Sequence, residues 1–174
     1  MTFMKRKGVS PVIATVVLVA VAITIAVAVS YWMSGISSQY TQFEKIEVTS
    51  AHCKYYDDLE TDWNGTYFTG SESGWVITID FRNTGTTQAT IINAFINSMK
   101  IEDYDSDAIT AWTSKDGEII QFSTGDKVSC NPGSNDTIYL VIEEVPVDFT
   151  SGTTIEASLH SGAGNTYMKM ITLS

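Results

Sequence analysis

The hydrophobic pattern of the chain changes its period once. From Val9 to Phe43 no residue is charged, and sixteen of the eighteen positions from Val12 to Val29 are apolar. The run has no apolar stripe set against a polar face. It is apolar all round, the pattern of a helix covered on every side by lipid or by other helices. Thr15 and Thr24 are compatible with such a helix, because a helical threonine bonds its hydroxyl to a carbonyl of the preceding turn. Eleven of the eighteen positions are Val, Ile or Leu, and leaving them in water would cost more than about 15 kcal/mol, comparable to the stability of a whole domain. The segment therefore requires a covering that water cannot supply.

From about Ile46 onward the period becomes two. In Trp75-Val76-Ile77-Thr78-Ile79-Asp80-Phe81-Arg82 the odd positions are large and apolar and the even ones mostly polar, as in a half-buried strand. Ile138, Leu140 and Ile142 alternate likewise, as do Ile155, Ala157 and Leu159, and further strands are expected over 46–56, 88–101, 117–123 and 165–173. Turn chemistry separates them at Asn83-Thr84-Gly85, Asp116-Gly117, Asn131-Pro132-Gly133, Ser151-Gly152 and Gly162-Ala163-Gly164. Seven or eight short strands with no second helical pattern predict an α+β chain, a long N-terminal hydrophobic helix followed by an all-β immunoglobulin-like sandwich. The buried Trp and cysteine spacing that mark antibody domains are absent, so the order of the strands stays open.

Charge adds direction to this outline. The 174 residues carry a formal charge of −10, and Lys5, Arg6 and Lys7 are three of only ten basic residues. The rest sets seven basic residues against twenty acidic ones, which excludes nucleic acid as a partner. The basic cluster directly before the apolar run places that end in the cytoplasm, Tyr31 and Trp32 suit a membrane interface, and everything after Gly35 is expected outside the cell. Within the run, small residues recur every four positions: Ala20, Thr24 and Ala28 on one ribbon, Ala22, Ala26, Ser30 and Ser34 on another. Such ribbons let helices approach closely.

Three fates of the N-terminus compete on these residues. An ordinary secretory signal would be cut near Ala26-Val27-Ala28, and an uncleaved anchor would keep the whole run. Neither gives a role to Gly8 or to Ser10-Pro11. The stretch Lys5-Arg6-Lys7-Gly8 followed by Val9-Ser10-Pro11-Val12-Ile13-Ala14 resembles the class III signal of archaeal type IV pilins. That resemblance implies cleavage by a prepilin peptidase between Gly8 and Val9, retention of the helix, and assembly by a pilus motor and platform into a homopolymeric surface filament. "VITIDFRNTGTTQATIINAFIN" at 76–97 and "NPGSNDTIYLVI" at 131–142 are similar to strand and turn segments of archaeal pilin head domains. The chain departs from bacterial type IV pilins in carrying Ile13 at the fifth mature position, where those have glutamate. Archaellins tend to have glycines just after the cut, where this chain has Ser10-Pro11-Val12-Ile13, so an adhesive pilin is preferred over a motility subunit. The resulting division is a leader over 1–8, a helix over 9–45 that serves first as membrane anchor and then as filament core, and an extracellular β-domain over 46–174. A membrane-anchored sugar- or substrate-binding module is the alternative reading.

Candidate chemistry is sparse. Cys53 and Cys130, 77 positions apart, are too distant for a zinc or CxxC motif and are expected to form one disulfide in an extracytoplasmic domain, worth about 4 kcal/mol for so long a loop, with two buried thiols as the alternative. Asn64-Gly65-Thr66 and Asn135-Asp136-Thr137 are sequons and make Asn64 and Asn135 candidates for N-glycans. Ser and Thr, forty residues together, supply much of the surface polarity. Asp103, Asp105 and Asp107 fail as an EF-hand, since Ala108 and Ser114 occupy the glycine and bidentate glutamate positions. They read as a solvated acidic loop, as do Asp57, Asp58, Glu60 and Asp62. His52 and His160 are in no catalytic motif, and His160 falls on the outward parity of its strand. The aromatics Tyr55, Tyr56, Trp63, Tyr67 and Phe68 suit packing or subunit contact better than a sugar-contacting patch. The chain is thus read as a structural protein, with no enzymatic activity, cofactor or metal.

Overall fold

The computed structural model describes residues 10–63, 73–104, 108–115, 118–121, 127–144 and 149–174. The chain divides between Gln42 and Phe43 into two units. The first is a single helix, α1, Pro11–Tyr40. Pro11 occupies the first turn, where its missing N–H costs nothing, and Ala14 N donates to Ser10 O at 3.0 Å to begin the ladder.

The second unit is an antiparallel β-domain. Its elements among the described residues are β1 (Ile46–Tyr56), a one-turn helix α2 (Leu59–Asp62), β2 (Gly74–Asn83), β3 (Ala89–Ile96), β4 (Met99–Lys100), a 3-10 turn (Ile101–Asp103), β5 (Ile109–Lys115), β6 (Glu118–Gln121), β7 (Val128–Cys130), β8 (Asn135–Glu143), β9 (Thr154–Ser161) and β10 (Thr166–Thr172). One sheet runs β1-β2-β8-β5-β6; the other runs β10-β9-β3-β4, with β7 also paired to β3. Both sheets supply one core: Ile77, Ile79 and Phe81 of β2 and Leu140 of β8 meet Ile91 and Ile96 of β3 and Ile155 and Leu159 of β9. Trp75 and Trp112 are both buried.

Three strand features depart from the alternating pattern. The stretch read as one strand over 88–101 is a hairpin, because Asn97 (φ 50°) and Ser98 (φ 65°) adopt the left-handed region and turn β3 into β4. Asn97 is fastened there by its amide, which donates to Glu156 O at 2.8 Å, and by its Oδ1, which accepts from Glu156 N at 3.0 Å. Strand β5 was hidden because both its faces are covered: Ile109 and Ala111 join the shared core, while Trp112 joins a second cluster with Leu59, Val76 and Val141. The third is the short β7, three residues held to β3 by pairing from Ala89 to Ile91. The α2 turn that closes the second cluster lies in the acidic run; Asp58 caps it by accepting from Thr61 N at 3.0 Å.

Asn83 fixes the corner where the chain enters the domain. It is fully buried. Its Nδ2 donates to Thr87 O at 2.8 Å and to Cys130 O at 2.9 Å, and its Oδ1 accepts from Gly85 N at 2.9 Å. One side chain therefore ties the end of β2, the approach to β3 and the end of β7. A Cβ on Gly85 would lie 2.5 Å from Phe43 O and 2.6 Å from Lys45 N, so only glycine lets this turn lie against the segment that leads into β1. Replacing Asn83 by Ala is expected to destabilise the domain by about 2–4 kcal/mol, since it deletes three hydrogen bonds and leaves buried main-chain groups unpaired; urea unfolding measures this, with Thr84→Ala as a near-neutral control.

Asp80 on β2 accepts from Ser50 Oγ at 2.5 Å through Oδ2 and from Thr137 Oγ1 at 2.7 Å through Oδ1. These bonds, the Ser50 hydroxyl foremost, hold its carboxyl below the ordinary 3.8. A depressed folded-state pKa gives stability that is complete above the unfolded value and lost as pH falls through the folded one. Asp136 opposes it, because burial raises its carboxyl. The stability gap between the wild type and Asp80→Asn is expected to be present at neutral pH and to close only as the pH falls below the ordinary carboxylate value of 3.8 and through the lowered folded-state one, as read from thermal melts across the acid range.

Candidate assembly surface and modification sites

The candidate site is the surface of α1. Its 30 residues extend about 45 Å at 1.5 Å per residue, beyond the roughly 30 Å of a bilayer's hydrocarbon core. The stretch Pro11–Ser37 is long and apolar enough to cross a membrane. Every side chain from Pro11 to Gly35 is exposed, among them Val12, Leu18, Ile23, Val27, Tyr31 and Trp32. No acidic residue lies in the first turn and no basic one in the last. Thr15 Oγ1 donates to Val12 O at 2.9 Å and Thr24 Oγ1 to Ala20 O at 2.8 Å. Both hydroxyls are thereby satisfied within the helix, leaving an outer surface with few unpaired polar groups. The ribbons Ala20-Thr24-Ala28 and Ala22-Ala26-Ser30-Ser34 lie within this exposed surface, and Gly35 adds a position with open space around it. Gly8 and Val9 lie outside the described residues.

The expected disulfide is corrected: Cys53 and Cys130 are free thiols. They lie apart along β2: Cys53 is opposite Ile77, whereas Cys130 O accepts from Asn83 Nδ2, six residues and about 20 Å further along the strand, beyond the reach of a disulfide. The Cys130 thiol donates to Ser134 O at 3.3 Å, within the turn that Asn83 also fastens. Burial pushes both thiols up from their ordinary value, so neither is activated as a nucleophile.

Of the two sequons, Asn64 lies outside the described residues. Asn135 is exposed at the first position of β8, opposite Arg82, while the hydroxyl of its Thr137 is engaged with Asp80. Asp103 is exposed in the 3-10 turn; Asp105 and Asp107 lie outside the described residues. Among the described residues no cluster of His, Cys, Asp and Glu is arranged to hold a metal. His52 is exposed, and His160 is half-buried with its ring stacked on Phe95 at 4.1 Å.

The aromatic run after β1 is divided between the two clusters. Tyr55 packs its ring against Trp75 at 5.3 Å in the shared core. Trp63 meets Trp112 edge-on at 6.1 Å and Tyr139 at 5.9 Å over the second cluster, and Lys54 lies over the Tyr56 ring at 4.2 Å. Tyr67 and Phe68 lie outside the described residues. Sequence reasoning missed the buried role of Asn83 and the carboxylate of Glu144, which accepts from Tyr55 Oη and Ser73 Oγ. The Asn-Thr-Gly turn marked the first; nothing in the sequence around Glu144 marked the second.

No family model matches the chain, and no curated protein matches it either. Among solved structures it is similar to the Iho670 flagellar-like filament, with TM-score 0.44 at 16% identity over 95% of this chain and 99% of that one. It is similar to the archaeal flagellum of Methanospirillum hungatei strain JF1, with TM-score 0.36 at 15% identity over 94% and 89%. It is also similar to the archaellum periplasmic stator protein FlaG of Sulfolobus acidocaldarius, with TM-score 0.35 at 12% identity over 74% and 99%. At these values the likenesses carry no functional weight.

Proposed function

We propose that this chain is the structural subunit of an archaeal type IV pilus-like filament, exposed at the cell surface and serving adhesion. The observation that carries this reading is α1: about seven turns of exposed, charge-free apolar surface with small-residue ribbons. The residues before it add the rest. Lys5, Arg6 and Lys7 hold the precursor with its N-terminus in the cytoplasm, and Gly8 marks the end of a leader removed by a prepilin peptidase. An assembly motor and platform then draw α1 from the bilayer into a bundle of its own kind. The transfer is thermodynamically mild, because the helix leaves one apolar environment for another and gains close packing along its ribbons. The β-domain forms the outer shell, with Asn64 and Asn135 as candidate glycan sites. The strand order supports an immunoglobulin-like domain: β1-β2-β8-β5 and β10-β9-β3 follow the ABED and GFC sheets of the constant type, with the short β4, β6 and β7 added.

The mature N-terminus is the cheapest test. Mass spectrometry of the surface-exposed protein is expected to find Val9 first, and Gly8→Val is expected to abolish both processing and filaments. Met1 at the N-terminus would indicate an anchored module, and Val29 a secreted domain. A separate expectation concerns the ribbons: Ala26→Phe leaves membrane insertion intact but overpacks the bundle, weakening each subunit contact by about 1–3 kcal/mol. Electron micrographs would then show few or short filaments, whereas wild-type filament lengths would remove the ribbon from the account.

A further inference from the structure

The sequon Asn135-Asp136-Thr137 opens strand β8, whereas an acceptor of this kind is expected in a surface loop. Its two chemical groups stand in opposite conditions. The Asn135 side chain, which would carry the glycan, is exposed. The Thr137 hydroxyl is half-buried and committed: it has one proton to give, and that proton goes to Asp80 Oδ1 at 2.7 Å. A hydrogen bond to a carboxylate is of the stronger kind. The main chain is committed as well, since Asn135, Asp136 and Thr137 pair in register with Arg82, Phe81 and Asp80 of β2. On the other side Thr137 O accepts from Thr113 Oγ1 of β5 at 3.3 Å. The tripeptide is thus held from both neighbouring strands.

N-glycan transfer joins the asparagine Nδ2 to the anomeric carbon of a lipid phosphate-linked oligosaccharide. The bond from that carbon to the phosphate oxygen breaks, the lipid phosphate leaves with the electron pair, and the amide yields one proton to a base of the transferring enzyme. The enzyme selects its acceptor by the hydroxyl two residues on, and it must seat the tripeptide in its own cleft. Paired in the sheet, this sequon offers neither a free hydroxyl nor a separable backbone. We infer that Asn135 is an acceptor only before β8 pairs with β2, so the folded domain carries a glycan there but does not receive one. The inference rests on the reading of Asn135 as a glycan site of an exported domain, and not on assembly into a filament. Folding then competes with transfer. Occupancy at Asn135 records how long the exported chain stays unpaired, and a chain already modified still folds, because the side chain that bears the sugar is exposed.

The test uses the full chain, made without glycosylation and folded in detergent, beside a synthetic peptide of residues 131–141. Each is incubated with an oligosaccharyltransferase and a lipid phosphate-linked oligosaccharide, and mass spectrometry follows occupancy at Asn135. The peptide is expected to be modified, and the folded chain to react at least about tenfold more slowly, because it reacts only through opening of the strand. Asn83→Ala, which loosens the corner fastened to β2, is expected to bring the rate toward that of the peptide, whether that variant is destabilised or unfolded. Equal rates for folded chain and peptide, an unmodified peptide, or equally slow reaction of wild type and Asn83→Ala would each overturn the inference. None of these outcomes depends on filaments, whose absence would remove the proposed function and leave this inference standing.

Discussion

Everything outside the β-domain is governed by one constraint: α1 presents apolar side chains in every direction and has no charge with which to meet water. The hydrophobic cost of that surface is of the order of a domain's entire stability, so the helix must always be covered. In the proposed function a bilayer covers it while the protein is a single copy, and other helices of the same kind cover it in a polymer. The two coverings make different demands. Lipid accepts any apolar surface, whereas helix packing rewards small residues in register, and α1 carries both the bulk suited to the first and the ribbons suited to the second. Thr15 and Thr24 fit either, because each hydroxyl is returned to its own helix.

The β-domain solves its own problem separately. Two sheets bury a core of Ile, Leu and Phe between them, and a second cluster around Trp112 and Val141 covers part of the outer face of one sheet. It contains free thiols in place of a cross-link, so its stability rests on packing and on buried polar fasteners. Asn83 is the foremost of these. It joins the end of β2, the approach to β3 and the end of β7.

Legibility in the sequence followed how many faces an element buries. Helix α1 was plain because nothing but an all-apolar run has that pattern, and β2, β8 and β9 were plain because their alternation shows one buried face. Strand β5 was not, since Thr110 and Trp112 are buried on one side and Ile109 and Ala111 on the other, and alternation disappears when both faces are dry. The β3–β4 hairpin was missed because Asn97-Ser98 lacks the glycine that usually announces two positive φ angles. The cysteines misled because spacing along the chain says nothing of how far along the strands each one falls: Cys53 is opposite Ile77 and Cys130 is fastened by Asn83. The bonds of Glu144 to Tyr55 and Ser73 were illegible for a similar reason: the three residues are distant in the chain and meet through the pairing of β1 with β2 and of β2 with β8.

The central claim is that α1 exchanges lipid for copies of itself. Electron cryo-microscopy of surface filaments from cells that make this chain tests it most directly. The account predicts filaments in which α1 helices from many copies form a continuous central bundle, with β-domains around it and density beginning at Val9. Filaments built without this chain, with the chain recovered only as single copies in the membrane fraction and beginning at Met1, would contradict it.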